Sequence, residues 1–429
     1  MLAVLVVVLL LVLLLIRIPV GFAIGIAGSV GLLLYGGLPE LLGVLETTPH
    51  TAVTAYSLSP IPLFVLMAQF VLRSGVAGSM FDSARIWVGR TPAGLGVATT
   101  LSGAVFAAIS GSSTAAAATL ASTAVPEMTR RGYDARLATG LVAVVGTLAA
   151  MVPPSIILVF YAVLAEESVG QVLIAGFVPG ALVVVALIVT TLLVVRRRPE
   201  LAPRGERHPM AGKIRALGVV GPVLILFGLV TVTIYLGLAT PTEAAALGAA
   251  GALAIGLVQR TLTLARIRAA LLETLCTTAM ILLIIASAHV FGHVLTLSRV
   301  TETVVDAVAA VPAAPTVIFL GIALVYLVLG AFMDQMAILA LTVPIVLPVI
   351  EQLGFDPVWF GVMVVLLAEI GLVTPPLGLN VFIVARSTGL RSEEVFRGVV
   401  PFVLALLVLV LVFTFAPGLV LWLPGTMGS

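Results

Sequence analysis

Ten runs of apolar residues follow one another down this chain, at 2–16, 20–36, 58–73, 135–165, 171–195, 217–238, 241–258, 272–297, 357–386 and 400–424. Each is close to or above the roughly 17 residues a helix needs to cross a bilayer. Of the 429 residues, 61% are hydrophobic and 9% charged. A water-soluble domain normally carries about 25% charged residues, because its surface must be coated with polar groups. The solvent is therefore lipid, where the backbone must satisfy its own hydrogen bonds, and the expected fold is an all-α polytopic membrane protein. The first run has no basic segment before it and no small-residue cleavage motif after it, so it is expected to be a membrane helix and not a signal segment. A net charge of +2, spread over short loops, argues against nucleic acid as a partner. The lone Cys276 can form no internal disulfide and is expected to be a packing side chain.

Two further apolar regions, 96–128 and 315–350, are interrupted near their middles by polar residues. Each is long enough to enter the membrane and return, so both are expected to be re-entrant helical hairpins. Irregular backbone at that depth survives only where protein or a water-filled cavity covers it, which makes each polar tip a candidate site. The stretch 196–216 is basic and proline-containing, hence a linker, and 74–95 is expected to lie along the interface as an amphipathic helix.

Four landmarks recur at one spacing. Pro19 and Pro241, Pro126 and Pro348, Gly132-Tyr133-Asp134 and Gly354-Phe355-Asp356, and Val152-Pro153-Pro154 and Thr374-Pro375-Pro376 each stand 222 residues apart. A fixed register without gaps implies a duplicated unit, 2–195 and 217–424, joined by the 196–216 linker. Each unit holds five crossings and one hairpin. Five is odd, so the second unit enters from the opposite side, giving two inverted repeats. Basic residues favour the cytoplasmic face. With the linker placed there, 20 of the 21 Lys and Arg residues fall inside, including Arg90, and Arg299 alone falls outside. Both termini are then periplasmic.

The first tip reads Ser110-Gly111-Ser112-Ser113-Thr114, and the helix over 135–165 is broken within Gly146–Ser155. A double proline removes backbone donors and frees the carbonyls about one turn earlier. Hydroxyls and free carbonyls are hard oxygen ligands suited to sodium, and half-helix ends add their dipoles. Small residues such as Ala115–Ala118 serve equally well for close helix packing. By symmetry a second site pairs the tip Met333-Asp334-Gln335 with the broken stretch Glu369–Asn380. Asp334 at membrane depth reads as functional, or as an N-cap, or both. Glu369 reads as functional or as a buried structural hydrogen bond. Glu243, opening a helix, serves either substrate or the helix dipole. Arg299 either binds an anion or is a solvated loop residue. His289 and His293 share a helix face but lack a third ligand, so core hydrogen bonding is expected rather than a metal.

The segments GAVFAAISGSSTAAAATLASTAVPEMTRRGYD, VPPSIILVFYAVLAEESVGQ, TPTEAAALGA, FMDQMAILALTVPIVLPVIEQLGFDP and GLVTPPLGLNVFI resemble the large membrane subunit of TRAP (tripartite ATP-independent periplasmic) transporters, the DctM-type family. The resemblance implies an elevator-type transporter, in which a transport domain holding both hairpins and both broken helices moves against a scaffold. It implies sodium coupling with no other cofactor, a first sodium site of Ser110, Ser112, Gly146 and Pro153, and a second of Asp334, Gly371, Thr374 and Pro375. Ser155 matches a substrate position, and Arg299 and Glu243 complete the substrate candidates. The implied partners are a separate small four-helix membrane subunit, a periplasmic solute-binding protein, the lipid bilayer and a small organic anion, a carboxylate, imported across the bacterial or archaeal inner membrane. No enzymatic activity is expected: Asp334 has no second intramembrane aspartate, and the tip serines lack a nearby base. A binding-protein-independent divalent-anion sodium symporter is the alternative, disfavoured because that group's tips resemble Ser-Asn-Thr. A channel is disfavoured because channels use symmetric subunit rings.

Overall fold

The computed structural model describes residues 2–88, 91, 93–203 and 210–427, and every regular element among them is helical. Arg90, Arg204 and Arg207, placed on the cytoplasmic side above, lie outside the described residues. The first half contains α1 (Leu2–Leu15), α2 (Val20–Thr54), α3 (Pro60–Arg73), α4 (Val76–Val88), α5 (Gly94–Ser110), α6 (Ser113–Arg130), α7 (Ala135–Gly146), α8 (Leu148–Met151), α9 (Ile156–Leu164), α10 (Val169–Ala175) and α11 (Phe177–Arg197). The second contains α12 (Met210–Tyr235), α13 (Pro241–Val258), α14 (Leu264–Ser298), α15 (Val300–Ala309), α16 (Pro315–Phe332), α17 (Gln335–Gln352), α18 (Pro357–Gly371), α19 (Leu379–Thr388) and α20 (Ser392–Phe415).

Local chemistry sets these boundaries. Asp134 and Asp356 open α7 and α18 in the same way, each accepting from two backbone N–H groups of the first turn at 2.7–3.1 Å. Gly111, at φ +57°, ends α5 in a left-handed turn, and Ser112 then caps α6 by accepting from Ala115 N at 3.4 Å. The α5–α6 connection is thus two residues long, and the α16–α17 connection, Met333-Asp334, is equally short.

Several apolar runs fold differently from their expected extents. The 20–36 run continues through Gly37, whose backbone (φ 72°, ψ −170°) suits glycine, into further helix up to Thr54. The 272–297 run is part of a longer helix, α14, that begins at Leu264. The 400–424 run stops at Phe415, two residues before Pro417, because the residue preceding a proline is pushed out of the helical region. The 135–165 run is bent by 46° at its break. Ten crossings were expected. Among the described residues, eight helices are long and apolar enough to cross a bilayer, and the bent α7–α9 segment makes nine. The eight include α16 and α17, so each arm of the second hairpin is itself as long as a crossing. By contrast α1 and α18 are short, at 14 and 15 residues. Within 74–95 the helix is α4, and Trp87 Nε1 donates to Lys213 O at 3.1 Å, fastening α4 to the start of α12.

The helices pack in two groups. The α2–α14 and α3–α13 pairs form one, and α5–α7 with α16–α20 form the other. Within the second group, every residue of α7 from Leu137 to Gly146 and of α18 from Val358 to Gly371 is buried. Helices apolar on all sides belong in a core, and these two are its axis. They are reached closely only because small residues face them. A Cβ on Gly140 would stand 2.2 Å from the backbone carbon of Gly398 on α20. The outer helices leave large apolar side chains such as Leu15, Ile225, Leu264 and Leu404 exposed, where lipid replaces water. Cys276 is one of these outward residues on α14, not a packing side chain, because α14 turns that face away from α2 and α3.

Candidate functional site

The first hairpin tip, the end of α7 and the first helix break converge. Ser110, the last residue of α5, is buried, and its hydroxyl donates to Ser112 O at 3.4 Å. Ser112 Oγ lies 3.2 Å from Thr114 Oγ1. Gly146 closes α7 against this tip: a Cβ there would lie 3.0 Å from Ser113 O and 2.9 Å from Ala117 Cβ. Gly111 abuts Ile156, immediately past the break, where Pro153 and Pro154 are buried and joined by a cis peptide. Ser110, Ser112, Gly146 and Pro153 therefore share one neighbourhood.

The repeat-related group is built differently. Asp334 occupies the N-cap position of α17, where the N–H groups of Gln335, Met336 and Ala337 stabilise its carboxylate without a well-formed capping bond, and its surface is exposed. Thr374 Oγ1 donates to Ile370 O at 2.6 Å, which leaves its oxygen lone pairs free to accept. Gly371 packs backbone to backbone on Gly330 of α16. Pro375 and Pro376 form the second cis peptide and are exposed, unlike Pro153 and Pro154.

Between the two groups lies a junction of three side chains. Gln335 Nε2 donates to Ser113 Oγ at 3.2 Å, and these residues stand 222 positions apart, one on each hairpin. Glu369 Oε1, from α18, accepts from both the Ser113 hydroxyl and the Gln335 amide. Glu369 is 0% exposed, and its Oε2 has no hydrogen-bond partner among the described residues. A buried carboxyl in an apolar core is costly unless its oxygens are engaged, so this one is held by groups from both tips. Asn380, in the first turn of α19, is likewise 0% exposed, with neither side-chain Oδ1 nor Nδ2 bonded.

The substrate candidates sit elsewhere or are otherwise engaged. Ser155 is buried and caps α9, donating to Ala150 O at 2.7 Å and accepting from Leu158 N at 3.2 Å. Glu243 forms a capping box with Thr240 at the start of α13. Arg299 terminates α14; its side chain is 80% exposed and lies 3.9 Å from Glu302. His289 Nδ1 bonds with Ile285 O at 2.8 Å and His293 Nε2 with Thr48 Oγ1 at 3.3 Å. Sequence reasoning singled out Glu369 but missed the roles of Ser113, Gln335 and Asn380. The register held the signal for the first two, since positions 113 and 335 stand at the two tips with the same 222-residue spacing as the four sequence landmarks.

An all-helical, multi-pass membrane protein whose two hairpin tips meet at a buried carboxyl, beside two broken helices, belongs with membrane transport proteins. Residues 7–419 match the family model described as the tripartite ATP-independent periplasmic transporter, DctM component, and the chain belongs to that family. It is 36% identical over 415 residues to the C4-dicarboxylate TRAP transporter large permease protein DctM of Pseudomonas aeruginosa, covering 95% of this chain and 94% of that one. It is 31% identical to the sialic acid TRAP transporter large permease protein SiaM of Vibrio cholerae, covering 95% and 94%. It is also 31% identical to the isethionate TRAP transporter permease protein DctMQ of Oleidesulfovibrio alaskensis, covering 95% of this chain and 64% of that longer protein. In fold it is similar to the crystal structure of the Alcanivorax borkumensis YdaH transporter, with a TM-score of 0.64 at 14% identity over 88% of this chain and 89% of that one.

Proposed function

We propose that this chain is the large permease of a sodium-coupled, binding-protein-dependent secondary transporter that imports a small organic anion, a carboxylate, across the inner membrane. The observation that carries the reading is the junction of Ser113, Gln335 and Glu369, where repeat-related hairpin tips meet beside two broken helices. Inverted repeats with broken helices that converge near the membrane midplane are a common build for alternating access. The two halves, 2–195 and 217–424, are the inverted repeats, with both termini periplasmic. The α5–α7 and α16–α20 group moves as an elevator against a scaffold of α2, α3, α13 and α14.

Sodium fits the residues present. Site one offers the hydroxyls of Ser110 and Ser112 with backbone carbonyls near Gly146 and Pro153. Site two offers the Asp334 carboxylate and Thr374 Oγ1, with carbonyls near Gly371 and Pro375. These are hard oxygen donors of the kind small cations select. The unbonded Asn380 amide is free to recognise a carboxylate, whereas the Ser155 and Glu243 oxygens are engaged in helix caps. The partners are a small four-helix membrane subunit, with which the relative named DctMQ is consistent, and a periplasmic solute-binding protein. The named relatives take a C4-dicarboxylate, sialic acid and isethionate, all anions, which supports that substrate class. The test is uptake of a panel of carboxylates into proteoliposomes carrying this chain and its small subunit, under an inward sodium gradient. Uptake that requires both sodium and the binding protein supports the proposal. Sodium-driven uptake without the binding protein supports a divalent-anion symporter instead.

A further inference from the structure

Away from the hairpins, the last turn of α11, the first turn of α7 and the second turn of α20 enclose a cavity of about 540 Å³. Its rim carries Arg136, Arg197, Arg198 and Arg397, with Asp134 the single acid. Asp134 offsets only one of these four positive charges, so the lining stays positive overall. Arg136 lies 3.4 Å from Glu394, and the other three arginines have no ion pair among the described residues. A preference of arginine for one membrane face explains their number. It does not explain their convergence on one concavity, where four positive charges together favour a bound anion.

We infer that this cavity binds the phosphate headgroup of an anionic glycerophospholipid. Three features select a lipid over a free anion. The cavity is large: at roughly 30 Å³ per water it has room for about eighteen waters, far more than a bare phosphate fills. Its lining also includes apolar side chains, Leu137, Val194 and Pro401. Both flanking helices carry exposed apolar side chains leading away from it, Val189 and Leu193 on α11 and Val400 and Leu404 on α20. A cavity lined by arginines and apolar side chains together, on helices that also expose apolar surface, matches an amphiphile with its phosphate on the guanidinium groups and its acyl chains along the helices. Guanidinium groups suit that phosphate because they bind its oxygens as a fork. The inference does not depend on what the protein transports.

The test is native mass spectrometry of the full chain purified in a neutral detergent and titrated separately with palmitoyl-oleoyl phosphatidylglycerol, the matching phosphatidylcholine, and inorganic phosphate. Phosphatidylglycerol is expected to bind as a discrete adduct. The Arg197→Gln/Arg397→Gln double variant is expected to weaken it roughly thirtyfold, at about fivefold for each charge lost. Arg260→Gln, remote from the cavity, should leave binding unchanged and controls for general surface charge. Arg197→Lys/Arg397→Lys keeps the charge and should retain most of the affinity, which separates charge loss from misfolding. Equal binding of phosphatidylcholine, or undiminished phosphatidylglycerol binding in the double glutamine variant, overturns the inference. Inorganic phosphate that binds as tightly as the lipid, with the same sensitivity to the variants, would identify a soluble-anion site and also overturn it.

Discussion

Replacing Glu369 tests the tip junction most directly. Glu369 Oε1 is the common acceptor for the Ser113 hydroxyl and the Gln335 amide, and no part of the side chain reaches the surface. In Glu369→Leu that acceptor is gone. The Gln335 amide can still reach Ser113 Oγ at 3.2 Å, but the second amide hydrogen and the serine hydroxyl are left without their present partner. An unsatisfied buried donor costs about 1–3 kcal/mol, so two cost roughly 2–6 kcal/mol. Part of that is returned, because leucine removes a buried carboxyl with its own unbonded Oε2. We therefore expect a net loss of about 2–4 kcal/mol. Glu369→Gln keeps an acceptor oxygen of the same shape in the same place, so it should cost about 1 kcal/mol or less.

The assay is thermal unfolding of each purified variant in one detergent, followed by tryptophan fluorescence, with sodium-driven uptake measured in parallel. Leucine should lower the unfolding midpoint clearly and glutamine hardly at all. The reasoning fails if the leucine variant unfolds with the wild type. It fails equally if glutamine is as damaging as leucine, because the carboxyl charge and not the acceptor would then be what matters. A Ser113→Ala/Gln335→Leu double-mutant cycle supplies a second check, since residues sharing one acceptor should show coupling of about 0.5–3 kcal/mol.

Four further outcomes follow from the geometry. Asp334→Ala should abolish sodium-dependent uptake while still yielding monodisperse protein, because the side chain is exposed and forms no well-made capping bond; retained uptake with unchanged sodium dependence would remove it from the second site. Asn380→Leu should leave the unfolding midpoint unchanged or raised, since both polar atoms are already unbonded, while raising the KM for substrate; a fall in stability with unaltered KM would mark it as structural. Glu243→Ala should leave the substrate KM unchanged, as its carboxylate is used in the α13 capping box, and a raised KM would restore it to the substrate site. Gly140→Ala should destabilise the protein by about 1–3 kcal/mol, because its Cβ would meet the α20 backbone. Gly228→Ala, with open space around it on α12, serves as the tolerated control in the same thermal assay.

Much of this arrangement was legible from residues alone, because it rests on local signals. Apolar runs placed the helices, and caps and prolines placed their ends. Asp134 and Asp356, 222 apart, cap matching helices, and the two double prolines fall in matching breaks. What could not be read was anything that depends on which faces meet. The run 20–36 gave no sign that helix resumes after Gly37, because a left-handed glycine can as well end a helix as join two. Cys276 looked like core because its neighbours are apolar, yet on an outer helix of a membrane protein apolar neighbours are also what faces lipid. Glu243 drew attention as a charge opening a spanning helix, and its partner proved to be Thr240, three residues away. The pairing of Ser113 with Gln335 lay within reach, since a repeat axis brings some equivalent residues together, but the register alone does not say which ones.

That pairing bears on how the two proposed cation sites would act. Ser113 adjoins Ser112 of the first site, Gln335 adjoins Asp334 of the second, and Glu369 lies two residues before Gly371. The carboxyl thus fastens the start of α6 and the start of α17 to α18, the most deeply buried helix of its group. On the proposed reading, a displacement of α18 against α14 must carry both tips with it or break the junction, so the two sodium sites travel as one unit. The surroundings of the two sites are nonetheless unequal. The first break is buried, whereas Pro375, Pro376 and Leu377 of the second, and Asp334, are exposed. A cation arriving from the exposed side would meet the second site first, and its charge would be felt at the first through the shared carboxyl. Sodium dependence of uptake should therefore be cooperative in the wild type, and the cooperativity should fall in Gln335→Leu, which cuts one arm of the junction while leaving the ligands of both sites in place. A Hill coefficient unchanged by that substitution would mean that the sites fill independently, and that the junction only holds the tips together.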